Sequence, residues 1–434
     1  MAAIPSPTPS SVLPLWSKQP NAPNPPEFIN SVAISGDGNV VVAGTFCHLY
    51  APIPNPPPCS ESAQFGTYIW DGQGNALKGD LFNGWQGVYW VGASRDGSTV
   101  ASGGWYSGPT SPQGFVAAYD VASKTRTLMA TSLPGRTNMV ALSENGVYLV
   151  VANESLYLYM QKSPSSWGPP QILPPPTPGD YYVAATISAD GSWIAACTAK
   201  HVVMLIANSF GFMGKPIATT MPNASIYSVA MAANGSFFAA AGTAYSGDAP
   251  PPELDERDST LPGTGYVYVF STDQSSPQAA KPLQLLWSAP LPNCKNCRNV
   301  ALRDDGAFLS AVGALTTPTT QYLGGVSVFK NVGGNGTVMW SGNTIRDPNG
   351  TSMDASGDYV TVADGYQDAT PTKPSPGYFY LFDAYGGSLL WSYKTDNMAW
   401  PCVISAKGNA IVGGSDDGNV YSFSVAQSAR AAYP

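Results

Sequence analysis

The chain has 434 residues, only 11% of them charged, with 45 glycines, 40 prolines, a formal net charge of −8 and a pI near 4.7. That acidic, lysine-poor surface excludes the nucleic-acid binders, which need a basic face for phosphate, and no run approaches the ~18 apolar residues of a membrane span. A single domain of this length calls for an architecture that grows by repetition.

Residues 1–12 are a Pro/Ser-rich tail with neither the positive start nor the apolar core of a signal peptide. LPLWSKQ (13–19) then reads as one short strand with no hairpin before it. From residue 31 a unit repeats: SVAISGDGNVVVAG, WVGASRDGSTVASGG, MVALSENGVYLVVA, AATISADGSWIAAC, SVAMAANGSFFAAAG, NVALRDDGAFLSAVG, TSMDASGDYVTVAD and CVISAKGNAIVGG. The shared glycines are Gly38, Gly97, Gly146, Gly191, Gly235, Gly306, Gly357 and Gly408. Each unit predicts two strands around a two-residue turn of the Asp-Gly or Asn-Gly type, with Ser356 and Lys407 as replacements in two copies and glycine supplying the positive φ.

A third β-rich run follows every hairpin, from GTYIWD (66–71) to NVYSFS (419–424). A fourth follows most of them, clearest in LLWSAP (285–290), VMWSGN (338–343) and LLWSYK (389–394). Four strands per unit and eight units predict an all-β, eight-bladed propeller of four-stranded antiparallel blades. The last unit lacks a fourth strand and the first 19 residues hold a spare one, so strand 13–19 is expected to complete the eighth blade and close the ring. On this reading residues 1–434 are one domain, flanked by the N-terminal tail and a C-terminal tail at 425–434.

Six cysteines are present. Cys47 and Cys59 bracket a Pro-rich loop, which a disulfide would staple. Cys294 and Cys297 form CKNC, whose open readings are a disulfide, a redox pair or two zinc ligands; zinc is the weakest, because the chain has two histidines and no second CxxC. Two disulfides would place the protein outside the cytoplasm, secreted or periplasmic.

Long insertions at 45–65, 104–113, 243–264, 314–324 and 365–376 fall on the face opposite the glycine turns, where loop-borne function is expected. Counting eight residues back from each glycine gives a column at the channel mouth on that face: Asn30, Tyr89, Asn138, Val183, Tyr227, Arg298, Asn349 and Trp400. Neighbouring loops add Trp85 and Trp105, with Tyr106, Arg136, Asp364 and Tyr366. Aromatic faces with amide and guanidinium donors suit a flat or polyhydroxylated ligand, by stacking and directed hydrogen bonds; the partner expected on the loop face is a protein or a small polar or aromatic ligand. The same column in a water-filled entrance would simply solvate the strand ends. The acidic stretch 248–258 reads as a solvated loop. No GxSxG is present, and two histidines leave little material for a triad or a metal centre.

ISADGSWIAAC and GGSDDGNVYSFS resemble WD40-type repeats, and GYFYLFDAYGGSLLWSYKT resembles the PQQ-type repeat with its aliphatic-Trp strand. The resemblance spans nearly the whole chain and is one of fold, which hosts enzymes and passive binders alike. The PQQ-type likeness implies, in its quinoprotein dehydrogenases, a quinone held between a tryptophan and a disulfide of adjacent cysteines, with calcium and a catalytic Asp. Trp400 and Arg298 stand in the corresponding ring, but the cysteines of CKNC are not adjacent and the column has no Asp. The expectation is therefore a non-catalytic binding or scaffold propeller without a cofactor. The alternatives are a quinoprotein-like oxidoreductase with PQQ and calcium, and a lectin-like sugar binder using Trp85, Trp105 and Trp400.

Overall fold

A computed structural model describes residues 12–20, 28–46, 64–83, 87–107, 112–221, 223–245, 263–273, 283–315, 323–332, 334–365 and 375–425. These residues form eight antiparallel sheets whose strands follow one another in chain order. The first strand of each sheet touches the first strand of the next, and Phe28–Ile34 of the first meets Ala399–Ile404 of the eighth. Eight blades thus surround a channel in sequence order. No helix of the structure is long and apolar enough to cross a membrane.

The expected closure is present. Trp16–Lys18 pairs with Val420–Ser424, setting Trp16 opposite Ser422 and Lys18 opposite Val420. The Leu15 N–H adds a 2.7 Å bond to the Ser422 carbonyl. Joining the two ends of the chain in one sheet removes the free edges an open ring would leave.

Packing between blades supplies the core. The eight buried clusters each draw on adjacent sheets; Val42, Ile69, Val88, Val100, Phe115 and Tyr119 fill the space between blades one and two. Side chains of successive residues point to opposite faces of a strand, and both faces of a blade are covered. The second strands, such as VVVAGTF (Val40–Phe46), are therefore apolar on both sides and rich in small residues. Tryptophans of the fourth strands reach across to the next blade: the Trp287 indole donates to Asn331 Oδ1 (2.9 Å), Trp340 to the Ala384 carbonyl (2.7 Å) and Trp16 to the Gly72 carbonyl (3.1 Å).

Blades three and four, whose fourth strands are faint in the sequence, solve the problem differently. Their third strands turn into an extra hairpin, Ser166–Trp167 in one and Phe212–Met213 in the other, before a short fourth strand returns as Gln171–Leu173 or Ile217–Thr220. Phe210 lies at the tip of the second hairpin, exposed and with φ +53°.

The glycine turns differ from expectation in length. Ile34 pairs with Val41, and the Ser35 N–H bonds to the Val40 carbonyl at 2.9 Å, so four residues rather than two form the loop. The Gly38 N–H returns to the Ser35 carbonyl (3.0 Å), and all eight glycines have φ between +61° and +82° as the expected positive-φ position requires. Buried Ser35 explains the longer loop: its hydroxyl donates to Asp37 Oδ1 (2.6 Å) and accepts the Val40 N–H (2.9 Å). Ser94, Ser143 and Ser188 repeat the pattern. The Asp or Asn before the glycine thus braces its own turn in six of the eight repeats, Ser356 and Lys407 standing there in the other two.

These turns are also linked to one another around the ring. Gly36 N–H bonds to the Arg95 carbonyl, Asp96 N–H to Glu144, Glu144 N–H to Ala189, Ala189 N–H to Ala233, Asn234 N–H to Asp304, Ala355 N–H to Ala406, and Lys407 N–H to Gly36. Seven of the eight junctions carry such a bond; among the described residues the junction from turn six to turn seven does not.

The cysteine expectations fare differently. Cys47 and Cys59 lie outside the described residues. Cys294 and Cys297 are not bonded to each other: both are free thiols, as are Cys197 and Cys402. The chain bends between them, sending Cys294 Sγ towards the Gly313 carbonyl (3.6 Å) and Cys297 Sγ towards the Asn299 carbonyl (3.9 Å). Burial pushes the Cys294 thiol up to about 12 and Cys297 higher still, so both are inert apolar packing in the cluster between blades five and six. One of the two pairs that argued for an oxidising compartment is therefore absent.

Candidate functional site

The column read eight residues before each glycine has one structural identity: it is a line of β-bulges. Ile29 pairs with Thr45 and Ser31 with Gly44, leaving Asn30 extra. The same slip isolates Tyr89, Val183, Tyr227 and Asn349, and Trp400 with Pro401. In the other two blades Asn138 and Arg298 donate their N–H to Ala152 and Val312, the residues that also pair with Met139 and Asn299. A bulge turns its side chain out of the sheet's alternation.

The amides spend their donors on neighbouring blades. Asn30 Nδ2 donates to the Tyr89 carbonyl (2.6 Å), Asn138 Nδ2 to the Tyr182 carbonyl (2.7 Å), and Asn349 Nδ2 to the Ala399 carbonyl (3.1 Å). Each bond ties one blade to the next. Each of these three expected ligand donors is thus already paired with a backbone carbonyl, and turning it to a ligand would cost that bond.

Two groups in the column remain chemically distinctive. At blades one to three, Phe46, Tyr89 and Trp105 form a cluster with ring centroids 4.9 to 6.0 Å apart. The Arg136 guanidinium lies 4.1 Å from the Tyr89 ring centre and 5.4 Å from that of Trp105, and its Nε donates to Asn138 Oδ1 at 2.7 Å. At these distances the guanidinium makes cation–π contacts with both rings. Tyr89 and Trp105 are only partly buried, whereas Phe46 is buried.

At blades six and seven, Arg298 Nη1 donates to Asn349 Oδ1 (3.1 Å) and Nη2 lies 3.5 Å from Asp347 Oδ2. Burial raises the Asp347 carboxyl above its ordinary range despite Arg298 and Lys295 beside it, and burial likewise depresses the Lys295 ammonium. Burial also raises the Tyr227 phenol, whose neighbours include Thr243, Tyr245 and Arg298. This is a packed polar junction between blades.

Trp400 lies in the eighth blade, separated from Trp105 by the whole of blade one; it hydrogen-bonds Asp416, whose buried carboxyl is pushed well above the ordinary range. Asp364 is fully buried at the end of Tyr359–Asp364. Trp85 and Tyr366 lie outside the described residues, as does the acidic stretch 248–258. Sequence reasoning missed Phe46, Asp347, Lys295 and Asp416. They sit at strand ends and blade junctions, where the pairing partner is set by ring geometry rather than by spacing along the chain.

The residues do not fit a quinone of the kind the PQQ-type likeness implies, since the nearest cysteine pair is two separately directed, buried thiols. Among the described residues no three His, Cys, Asp or Glu side chains converge as a metal-binding group.

No family model matches the chain, and no curated protein does. Solved structures do match at the level of fold. The Dos1 propeller superposes with a TM-score of 0.63 at 11% identity, covering 95% of this chain and 94% of its own. Sqt1 of Chaetomium thermophilum, solved with the N-terminus of the ribosomal protein L10 bound, gives 0.61 at 15% identity over 92% and 97%. Hydrazine synthase of Kuenenia stuttgartiensis gives 0.53 at 13% identity over 77% and 95%. Dos1 and Sqt1 are WD40-type propellers. The chain is thus similar in fold to the WD40-type β-propellers, and its repeats build eight blades. At these identities the likeness concerns fold alone.

Proposed function

We propose that this propeller is a non-catalytic binding module that holds a polypeptide segment at the channel mouth on its insertion face. The observation that carries the reading is the Phe46–Tyr89–Trp105 cluster with Arg136 laid across it. Trp, Tyr and Arg are the residue types that dominate protein-binding energy, because they offer large apolar area at small entropic cost with a polar tip for direction. The column around them is satisfied within the fold, so the cluster is presented on a rigid rim. A peptide-bound WD40-type neighbour of the same fold supports a protein partner.

The test is photo-crosslinking from the site. Benzoylphenylalanine at position 105 should capture a polypeptide in extracts of the source cells, while the same group at position 210, on the far rim, should not. Arg136→Ala should abolish the capture from position 105. Equal capture from both positions, or none from 105, would overturn the reading.

A further inference from the structure

The extra hairpin of blade four is a feature that neither the repeats nor the channel mouth accounts for. Ser209 pairs with Phe212, so Phe210 and Gly211 alone form its loop. Both have positive φ, +53° and +85°, the mark of a type I′ turn, whose first position favours Asn, Asp or Gly. A phenylalanine there strains the backbone, because its Cβ crowds the following carbonyl oxygen. Packing does not explain its presence: Phe210 is 85% exposed and Phe212, across the loop, 67%.

The loop is nevertheless firmly braced. Asn208 Oδ1 accepts the Gly211 N–H (3.0 Å), and Asn208 Nδ2 donates to the carbonyl of the turn glycine Gly191 (2.7 Å). The Met213 N–H donates to Gln171 Oε1 of blade three (2.7 Å). A Cβ on Gly211 would lie 2.8 Å from Met160 Sδ, so the loop sits directly against that blade. Two phenyl groups thus stand on a fixed, projecting tip at the outer rim, on the turn-face side.

The charge beside the tip is positive in a chain that is acidic as a whole. Lys162, two residues past Met160, and Lys215, two residues past Met213, are both exposed. From residue 155 to residue 223 the sequence has two carboxylates, Asp180 and Asp190, against 28 in the full chain. Asp180 is buried, and Asp190 is held within its own glycine turn by the Ser188 and Ser192 hydroxyls.

We propose that this tip is a wedge for the surface of a bilayer containing anionic lipid. Phe210 and Phe212 enter the boundary between headgroups and acyl chains, and Lys162 and Lys215 meet the anionic headgroups. A two-residue tip offers a second protein far less area than a stable interface buries, whereas a bilayer closes around it. A strained residue kept at an exposed tip also fits a functional role better than a structural one. This inference is independent of what the insertion face binds.

Co-sedimentation of the full chain with vesicles tests it. Wild type should pellet with phosphatidylcholine vesicles containing about 30% phosphatidylserine, and one molar salt or pure phosphatidylcholine should release most of it. Phe210→Asn combined with Phe212→Ser should lower the partition coefficient roughly tenfold or more. Lys162→Gln with Lys215→Gln should lower it roughly fivefold for each lysine removed. Phe210→Asn by itself supplies the favoured Asn-Gly turn, so its thermal midpoint should match or exceed that of wild type while its binding falls. Wild type that stays in the supernatant at every lipid concentration would overturn the proposal, as would a Phe210→Asn, Phe212→Ser variant that pellets like wild type. A lower midpoint in Phe210→Asn would make Phe210 a residue of the fold and overturn it too. So would a dimer in sedimentation velocity that the two Phe substitutions abolish, which would assign the tip to a second copy of the chain.

Discussion

The buried carboxyl of Asp364 gives a sharply defined pH experiment. It accepts the Arg346 N–H (2.8 Å) and the Tyr380 hydroxyl (2.7 Å) on Oδ2, and the Tyr378 N–H (2.8 Å) on Oδ1. Burial outweighs these donors and pushes the carboxyl from 3.8 up to about 7. A folded value above the unfolded one means the native state holds the proton more tightly. The resulting stability is fully present below pH 3.8 and is lost as the pH rises through 7. At 1.36 kcal/mol per pH unit the interval from 3.8 to 7 amounts to about 4 kcal/mol. For 434 residues that corresponds to roughly 4–5 °C in Tm. Asp347, Asp354 and Asp416 are raised by burial in the same direction, so the wild-type curve alone does not isolate Asp364. The difference between wild type and Asp364→Asn does. The amide disturbs the hydrogen bonds by a pH-independent amount and removes the titration. Thermal midpoints from pH 4 to 8 should show the variant gaining on wild type as pH rises, most steeply between pH 4.5 and 6.5. A difference that stays flat across that range would refute the reasoning.

The inter-blade amides should behave as structure rather than as ligand contacts. Asn349→Ala removes two donated bonds and leaves Arg298 without an amide acceptor, so denaturant titration should show a loss of about 1–3 kcal/mol. Two Trp→Phe changes offer a matched comparison. Trp340→Phe deletes the 2.7 Å bond to Ala384, whereas the Trp391 indole N–H is buried without a hydrogen-bond partner. Trp340→Phe should therefore cost about 1 kcal/mol more than Trp391→Phe in the same titration. Cys294 and Cys297 should resist a thiol reagent in the native protein and react once it is unfolded, as intact-mass measurements would show. Loss of two hydrogens across that pair in the native protein would contradict the thiol assignment.

Blade number and ring closure are legible in the sequence because each depends on a repeated local signal. The eight positive-φ glycines mark the hairpins, and the orphan LWS strand finds its place opposite Val420–Ser424. Turn length is not legible from Asp-Gly alone. It depends on Ser35 and its counterparts, whose hydroxyls close a wider loop from a position outside the apparent turn. The channel-mouth column is found by counting from the glycine, but counting does not reveal what the side chains do there. Asn30 and Asn349 look like ligand donors until the next blade's carbonyls are placed beside them. CKNC misleads for a similar reason, since two residues of spacing leave open a bend that sends the sulfurs apart.

The two faces of the ring follow different physical rules. On the turn face, serine hydroxyls, turn carboxylates and backbone groups satisfy one another within each blade and from blade to blade. Substitution there acts first on the fold, and an ion pair from Arg95 to Asp304 joins turn two to turn six. At the opposite end six of the eight first strands slip at a bulge, which frees a side chain from the sheet's alternation. Some of the side chains there were then used to join the blades, as Asn30, Asn138 and Asn349 are. Of the others, Tyr89 packs with Trp105 and Arg136 from neighbouring strands and loops. Partly buried aromatic groups that hold one another in place, on a rim fixed by the amides beside them, present a preorganised surface whose side chains lose little freedom on binding. That division, with hydrogen bonds spent on the scaffold and aromatic area left for contact, is what makes this rim the place to look for a partner.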